Sequence, residues 1–192
     1  MAQRVSPPSF EELLSQIRQL PEGVTGEILE PGRLRTMSRP GGAHRFVHRR
    51  VLSSLRSWDV AEGGRGWWIE VEAEIAFPGP RLAVPDVAAW RIEEPTPPAF
   101  VDDNPITAIP DLCVEILSPT TGREDRRLKL PLYASSGVTH TWLVDPEARL
   151  VEVFGCTDGK PVLLATAVDA DVRSLPPFDA PIDVASWWKP GA

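Results

Sequence analysis

The chain has 192 residues, with 20 Lys and Arg against 27 Asp and Glu, for a formal net charge of −7. A domain of this size buries roughly 70% of the surface that its unfolded form exposes, which leaves little material for a second core. No apolar run approaches the roughly 20 residues that cross a bilayer, the two cysteines, Cys113 and Cys156, are too few for a disulfide scaffold or a cysteine-built zinc site, and the acidic balance argues against a protein that coats nucleic acid through bulk positive charge.

One domain is expected over 9–192, behind a short N-terminal extension over 1–8. The opening MAQRVSPPSFEELL carries no apolar signal core, so the expected location is cytoplasmic. FEELLSQI reads as a short helix capped by Ser9 with Glu12 three residues later, and Phe10, Leu13, Leu14 and Ile17 form its apolar stripe. TGEILEPGRLRTM reads as two short strands around Glu30-Pro31-Gly32, which puts Glu27 on an extended segment near a sheet edge or beside a helix end. Residues 43–58 read as a second helix, with Phe46, Val47, Val51, Leu55 and Trp58 at helical spacing and basic residues on the other side.

WWIEVEAEIAF alternates, with Ile69, Val71, Ala73, Ile75 and Phe77 on one face of a predicted strand and Glu70, Glu72 and Glu74 on the other. LAVPDVAAW is a further strand carrying Asp86. The stretch 91–110, rich in proline and acidic residues, predicts an irregular surface loop, a candidate lid, partner-contact loop or variable insertion. DLCVEILS predicts a central strand with Cys113 as a buried thiol. TGREDRRLKLPLYASSG is helical in character apart from Pro131, HTWLVDPEARLVEVFG predicts a hairpin turning at Asp145-Pro146, and the tail offers an edge strand and a closing segment.

Asp86 and Glu115, at the ends of neighbouring predicted strands, are the candidates for chemistry. Two such carboxylates can converge on a hard divalent ion, because Mg²⁺ favours oxygen ligands and keeps waters that can be activated. Lys129 offers an ammonium if its helix crosses the same strand ends, although Asp125, four residues earlier, offers it a simple i,i+4 pair instead. Two basic clusters, Arg45/His48/Arg49/Arg50 and Arg123/Arg126/Arg127/Lys129, read either as solvated helix surface or as a positive face. Tyr133 and Trp142 read as core, His44 as a surface or packing residue with an approach to the site from the second helix as the alternative, and no glycine-rich phosphate loop or zinc motif is present.

FEELL, GEILEPG, the AHR-to-LSSL helix, VPDVAAW, LCVEILSPTTGREDRRLKLPLYASSGVTHTWLVDP and VEVF occur in this order over roughly residues 9 to 155. Together they resemble the Uma2-like restriction endonuclease family, once a domain of unknown function, within the broad PD-(D/E)XK nuclease-like group. The resemblance implies an α/β, restriction-endonuclease-like core: a mixed central β-sheet flanked by helices. It also implies Glu27 as the early acidic residue, Asp86 and Glu115 as metal carboxylates, and Lys129 as a catalytic lysine displaced onto the following helix. Leu117 stands where an E-x-K pattern would have lysine, so that displacement is required. Asp125 and Ser118 would support the site.

The function implied is Mg²⁺-dependent endonucleolytic hydrolysis of nucleic acid, DNA foremost, with Mn²⁺ as a possible substitute. A homodimer would suit double-strand cleavage, and no membrane partner is expected. The competing readings are a catalytically silent nucleic-acid-binding module and an oligomeric structural or regulatory protein.

Overall fold

A computed structural model describes residues 6–38, 41–94 and 96–188; the expected N-terminal extension lies outside the described residues as far as residue 5. The first helix, α1 (Phe10–Ile17), is capped as its sequence predicts. The Glu12 amide donates to the Ser9 hydroxyl at 3.2 Å, and the Ser9 amide donates back to the Glu12 carboxylate at 2.7 Å.

β1 (Val24–Glu30) and β2 (Arg33–Ser38) form the expected antiparallel hairpin. α1 lies directly on β1: a Cβ at Gly26 would stand 2.6 Å from Ile17 Cγ1, so the close approach requires glycine. β4 (Ile75–Phe77) and β5 (Arg81–Ala83) complete a four-stranded sheet in the order β2-β1-β5-β4. Glu27 therefore sits on an inner strand and not at a sheet edge.

The second sheet has six strands. Its members are β3 (Trp67–Val71), β6 (Val87–Arg91), β7 (Leu112–Ile116), β8 (His140–Asp145), β9 (Leu150–Thr157) and β10 (Lys160–Val168), in the order β10-β9-β8-β7-β6-β3. β7 and β8 are parallel and the other neighbours antiparallel, so the sheet is mixed.

WWIEVEAEIAF is not one strand. Glu72 takes φ 50°, a left-handed conformation that interrupts a ladder, and the segment changes sheets there from β3 to β4. The three glutamates consequently form no row: Glu70 accepts from Trp68 Nε1 at 2.7 Å, and Glu74 pairs with Arg18 at 2.7 Å.

α2 (Gly42–Leu55) ends three residues before the predicted boundary. Trp58 lies beyond it and stacks on Phe178, ring centroids 4.5 Å apart. α2 buries Val47, Val51 and Leu55 against Val87, Ala89, Val114, Ile116, Trp142 and Val144, one face of the six-stranded sheet. The alternate residues Ala88, Trp90 and Cys113 face the other way, onto Leu132, Tyr133 and Val138. This period of two decides where the polar groups go: Asp86 shares the parity of Ala88, and Glu115 that of Cys113. The register Val87↔Val114, continued by one step, puts Asp86 beside Glu115.

Pro131 is accommodated by a change in winding. α3 (Gly122–Glu124) passes into a π-helical turn, Asp125–Lys129, closed by the Leu130 amide donating to the Asp125 carbonyl, and then α4 (Leu130–Ser136) begins. Pro131 thus falls in the first turn of α4, where a missing amide costs least. The helix is not broken, and Lys129 sits on the wide turn.

The 91–110 loop is irregular, as expected, but it is pinned. Phe100 stacks on Trp90 at 4.8 Å, Trp90 Nε1 donates to the Ala108 carbonyl at 3.1 Å, and Ile106 is buried and bridges to Ile75. The tail supplies β10 as the predicted edge strand. It then forms a ribbon of β11 (Val172–Ser174) and β12 (Pro181–Asp183), and a 3-10 turn, Val184–Trp187, that sends Trp187 into the core beside Trp142.

Candidate active site

Among the described residues, the buried charged side chains are Glu27, Glu115, Asp125 and Lys129, and they meet at one place. Lys129 Nζ lies 2.8 Å from Glu27 Oε1, donates to Glu115 Oε2 at 3.0 Å, and stands 3.9 Å from Asp125 Oδ1. The i,i+4 pair with Asp125 thus exists, but it is the longest of the three contacts. Lys129 is only 3% exposed, so each contact acts in a poorly solvated environment.

Asp86 joins the group from the start of β6. Its Oδ2 accepts the Ile116 amide at 2.6 Å, and His44 Nε2 sits 3.1 Å from Oδ1 and 3.2 Å from Oδ2. Since a carboxylate can only accept, Nε2–H is the donor. One turn along α2, His48 Nε2 lies 3.1 Å from the Asp86 carbonyl oxygen. Two histidines at i,i+4 therefore hold the Asp86 residue by side chain and backbone.

A cavity of about 610 Å³ opens over these groups, lined by His44, Asp86, Glu115, Ile116, Asp125 and Lys129, with Glu72, Ser118 and Thr121 around them. Glu27 does not line it. It sits behind Lys129 and accepts the Val84 amide at 2.8 Å. Arg35 and Glu124 form an ion pair within the cavity wall. No described residue of the 91–110 loop lines the cavity, so the candidate lid does not cover it in this structure.

The electrostatics are unbalanced. Glu27, Glu115 and Asp125 set three carboxylates around one ammonium, and Asp86 adds a fourth acidic group beside Glu115. Burial pushes Glu115 well above the usual carboxylate range; Lys129 opposes this, while Asp125, Asp86 and Glu27 add to the rise. Burial also raises Asp125. For Lys129 burial works downward, but Glu115, Glu27 and Asp125 outweigh it and hold the ammonium well above its ordinary range.

The structure brings Asp86, Glu115, Lys129 and Asp125 together at the cavity, places Ser118 on its wall, and stations Glu27 behind Lys129. Two further partners have roles that sequence reasoning ranked second or did not assign. His44, read first as surface or packing and second as approaching the site from the second helix, donates to Asp86. Tyr133, read as core, is buried but also donates to Glu115 Oε1 at 2.5 Å. The signal for His44 was the i,i+4 pair His44/His48 at the margin of an apolar stripe, a polar repeat that packing alone does not explain. Among the described residues, no three His, Cys, Asp or Glu side chains form a preassembled metal cage.

A mixed sheet with α2 on one face and α4 on the other, carrying an acidic cluster with a buried lysine at the strand ends, defines a restriction-endonuclease-like α/β domain. The crystal structure of "a putative nuclease belonging to DUF820 from Anabaena variabilis ATCC 29413" has this fold, with a TM-score of 0.70 and 23% identity over 94% of this chain and 99% of that one. Curated proteins gave no match. The profile of the Uma2 family, described as "Putative restriction endonuclease", matches residues 10–182, and the chain belongs to that family.

Proposed function

We propose that the protein is a metal-dependent endonuclease that hydrolyses phosphodiester bonds of nucleic acid, DNA foremost. The observation that carries this reading is the cavity in which Asp86 and Glu115 stand with the buried Lys129 ammonium, carboxylates in excess. The donor set fits a hard cation: two carboxylates suffice for Mg²⁺ or Mn²⁺, which fill their remaining positions with water. When bound, the ion supplies Lewis acidity to a phosphate oxygen and lowers the pKa of a water.

The chain's own residues do the rest. His44 and the Ile116 amide fix the Asp86 carboxylate, and Tyr133 fixes Glu115. Lys129 offsets the charge that grows on the phosphate as water oxygen bonds to phosphorus and the bond to one nucleoside oxygen breaks. Glu27 holds Lys129 in place from behind. The family's description supports a nuclease, and DNA is the polymer this reading puts first. Two copies, each cutting one strand, would suit a duplex, and light scattering tests for the dimer.

One observation favours a catalytically silent binding module: both Glu115 oxygens already accept protein donors, Oε1 from Tyr133 and Oε2 from Lys129. A single experiment separates the readings. Linear, supercoiled and single-stranded DNA and RNA are incubated with Mg²⁺, Mn²⁺ or EDTA, alongside folded Asp86→Ala, Glu115→Ala and Lys129→Ala proteins. Metal-dependent cleavage lost in all three variants is the expected result. Binding without cleavage under every condition would establish the silent module.

A further inference from the structure

The four-stranded sheet ends in β2, and the β1–β2 hairpin forms part of the cavity wall through Thr25, Arg35 and Met37. The hairpin register pairs Thr25 with Met37 and Glu27 with Arg35, so these four residues share one face. α1 covers the opposite face, where Ile28 and Leu34 pack with Leu13 and Ile17. Arg35 therefore stands directly across from Glu27, on the side that meets the helical segment carrying Lys129.

Each member of that cross-strand pair has an opposite charge to meet. Glu27 takes Lys129 at 2.8 Å, and Arg35 takes Glu124. Glu124 and Lys129 are five residues apart in the chain. In α-helical winding such positions point about 140° away from each other, which places them poorly for a single hairpin face. The π-helical turn Asp125–Lys129, closed by a bond from residue i to i+5, narrows that angle. The winding and the two ion pairs thus support one another. The order of charges also fixes the register: if the two hairpin residues exchanged partners, Glu27 would face Glu124 and Arg35 would face Lys129, like against like.

We propose that Arg35 and Glu124 are positioning residues, the outer half of a two-by-two ionic clamp that holds the π-helical turn in the winding that presents Lys129 to Glu115. The inference rests on the nuclease reading for what Lys129 does at the cavity, and deepens it by naming what aims the ammonium. The Arg35 and Glu124 side chains are 19% and 43% exposed, against 4% and 1% for Lys129 and Glu27. The inner pair is sealed and the outer pair partly solvated. Loss of the outer pair should therefore change global stability little and act chiefly on local opening of the turn.

The test reads the lysine directly and without metal. Acylation of Lys129 by an amine-reactive ester is followed by peptide mass spectrometry, with the exposed Lys160 as internal reference, in wild type, R35Q, E124Q, R35Q/E124Q, R35K and R33Q. Arg33 lies on the same strand but pairs with Glu30 away from the cavity, so R33Q controls for the loss of a β2 charge. Lys129 acylation is expected to rise about fivefold in R35Q and in E124Q, and no further in the double variant, because the two residues act as one unit. R35K and R33Q should label close to wild type, and every urea midpoint should stay near the wild-type value. In Mg²⁺ with duplex DNA, kcat of R35Q should fall on the order of tenfold while KM stays near wild type, since a misplaced ammonium is felt in the transition state. Unchanged acylation in R35Q and E124Q overturns the clamp, as does an additive double variant or a rise that accompanies a lowered urea midpoint. Cleavage by wild type alongside unchanged acylation would leave the nuclease reading standing, whereas the expected acylation pattern with no cleavage would overturn only the nuclease reading.

Discussion

Lys129 joins the two sheets: its ammonium lies 2.8 Å from Glu27 on β1 of the four-stranded sheet and 3.0 Å from Glu115 on β7 of the six-stranded one. The side chain that serves the proposed chemistry is therefore also a structural bolt. Removing one member of a buried ionic group leaves uncompensated charge and typically costs about 3–5 kcal/mol. Lys129→Ala is expected to lower unfolding stability by that order in urea titration, and adding Glu27→Gln should recover part of the loss. A denaturation midpoint that does not move would show that the ammonium bears no structural load.

Because the acidic groups of the cluster outnumber its one ammonium, a bound divalent cation should stabilise the fold and not merely activate it. A ligand at a hundred times its Kd adds about 2.7 kcal/mol when it binds only the native state. Differential scanning fluorimetry is expected to show Tm rising with Mn²⁺ or Mg²⁺ for wild type and staying flat for Asp86→Asn. Equal shifts in both proteins would place the cation elsewhere.

The parts of the site legible in the sequence were those on regular elements. Asp86, just before β6, and Glu115, on β7, belong to short apolar runs that read as neighbouring strands, so both were legible as candidates, whereas their side-by-side placement comes from the register. Lys129 was legible as a candidate, but its environment was not, since neither the π-helical turn nor the packing of β1 behind it leaves a periodic signature. The break in WWIEVEAEIAF was hidden because the left-handed residue there is Glu72, not glycine. The 43–58 helix was overextended for a similar reason: Trp58 continues the apolar spacing but packs from a loop onto Phe178. Of the two outer contacts of the acidic centre, His44 left a trace in the i,i+4 repeat with His48, whereas the approach of Tyr133 to Glu115 is a long-range contact that one-dimensional spacing does not encode.

His44 is expected to be a positioning residue. Its Nε2–H reaches both oxygens of Asp86, while Nδ1 is buried without a partner among the described residues, a polar atom whose desolvation costs about 1–3 kcal/mol. An arrangement kept at that cost suggests that the orientation of Asp86 matters. Groups that orient metal ligands typically contribute about 10–100-fold in affinity. Mn²⁺ titration calorimetry should show a loss of that order in His44→Ala and partial recovery in His44→Gln, whose amide can still donate. Unaltered Mn²⁺ affinity in His44→Ala would remove the histidine from the metal-holding assembly.

Alkaline pH should unfold the protein through the same cluster. Tyr133 is the only tyrosine of the chain, and burial pushes its hydroxyl well above the ordinary 10.0, with the Glu115 charge adding to the rise. Lys129 is likewise raised above its ordinary 10.5, the carboxylates outweighing burial. Both groups hold their protons more tightly in the native state than in the unfolded chain. Stability rises with pH only where the unfolded state binds more protons, so the sign here is negative. Their contribution is complete below the unfolded values, near pH 10, and is lost as pH climbs from there through the raised native values. Tyrosinate absorbance is therefore expected to appear together with the loss of helical circular dichroism and not before it. A tyrosinate band that grows in near pH 10 while the helical signal is intact would mean that Tyr133 is accessible, and that its hydrogen bond does not hold Glu115 in the way the geometry requires.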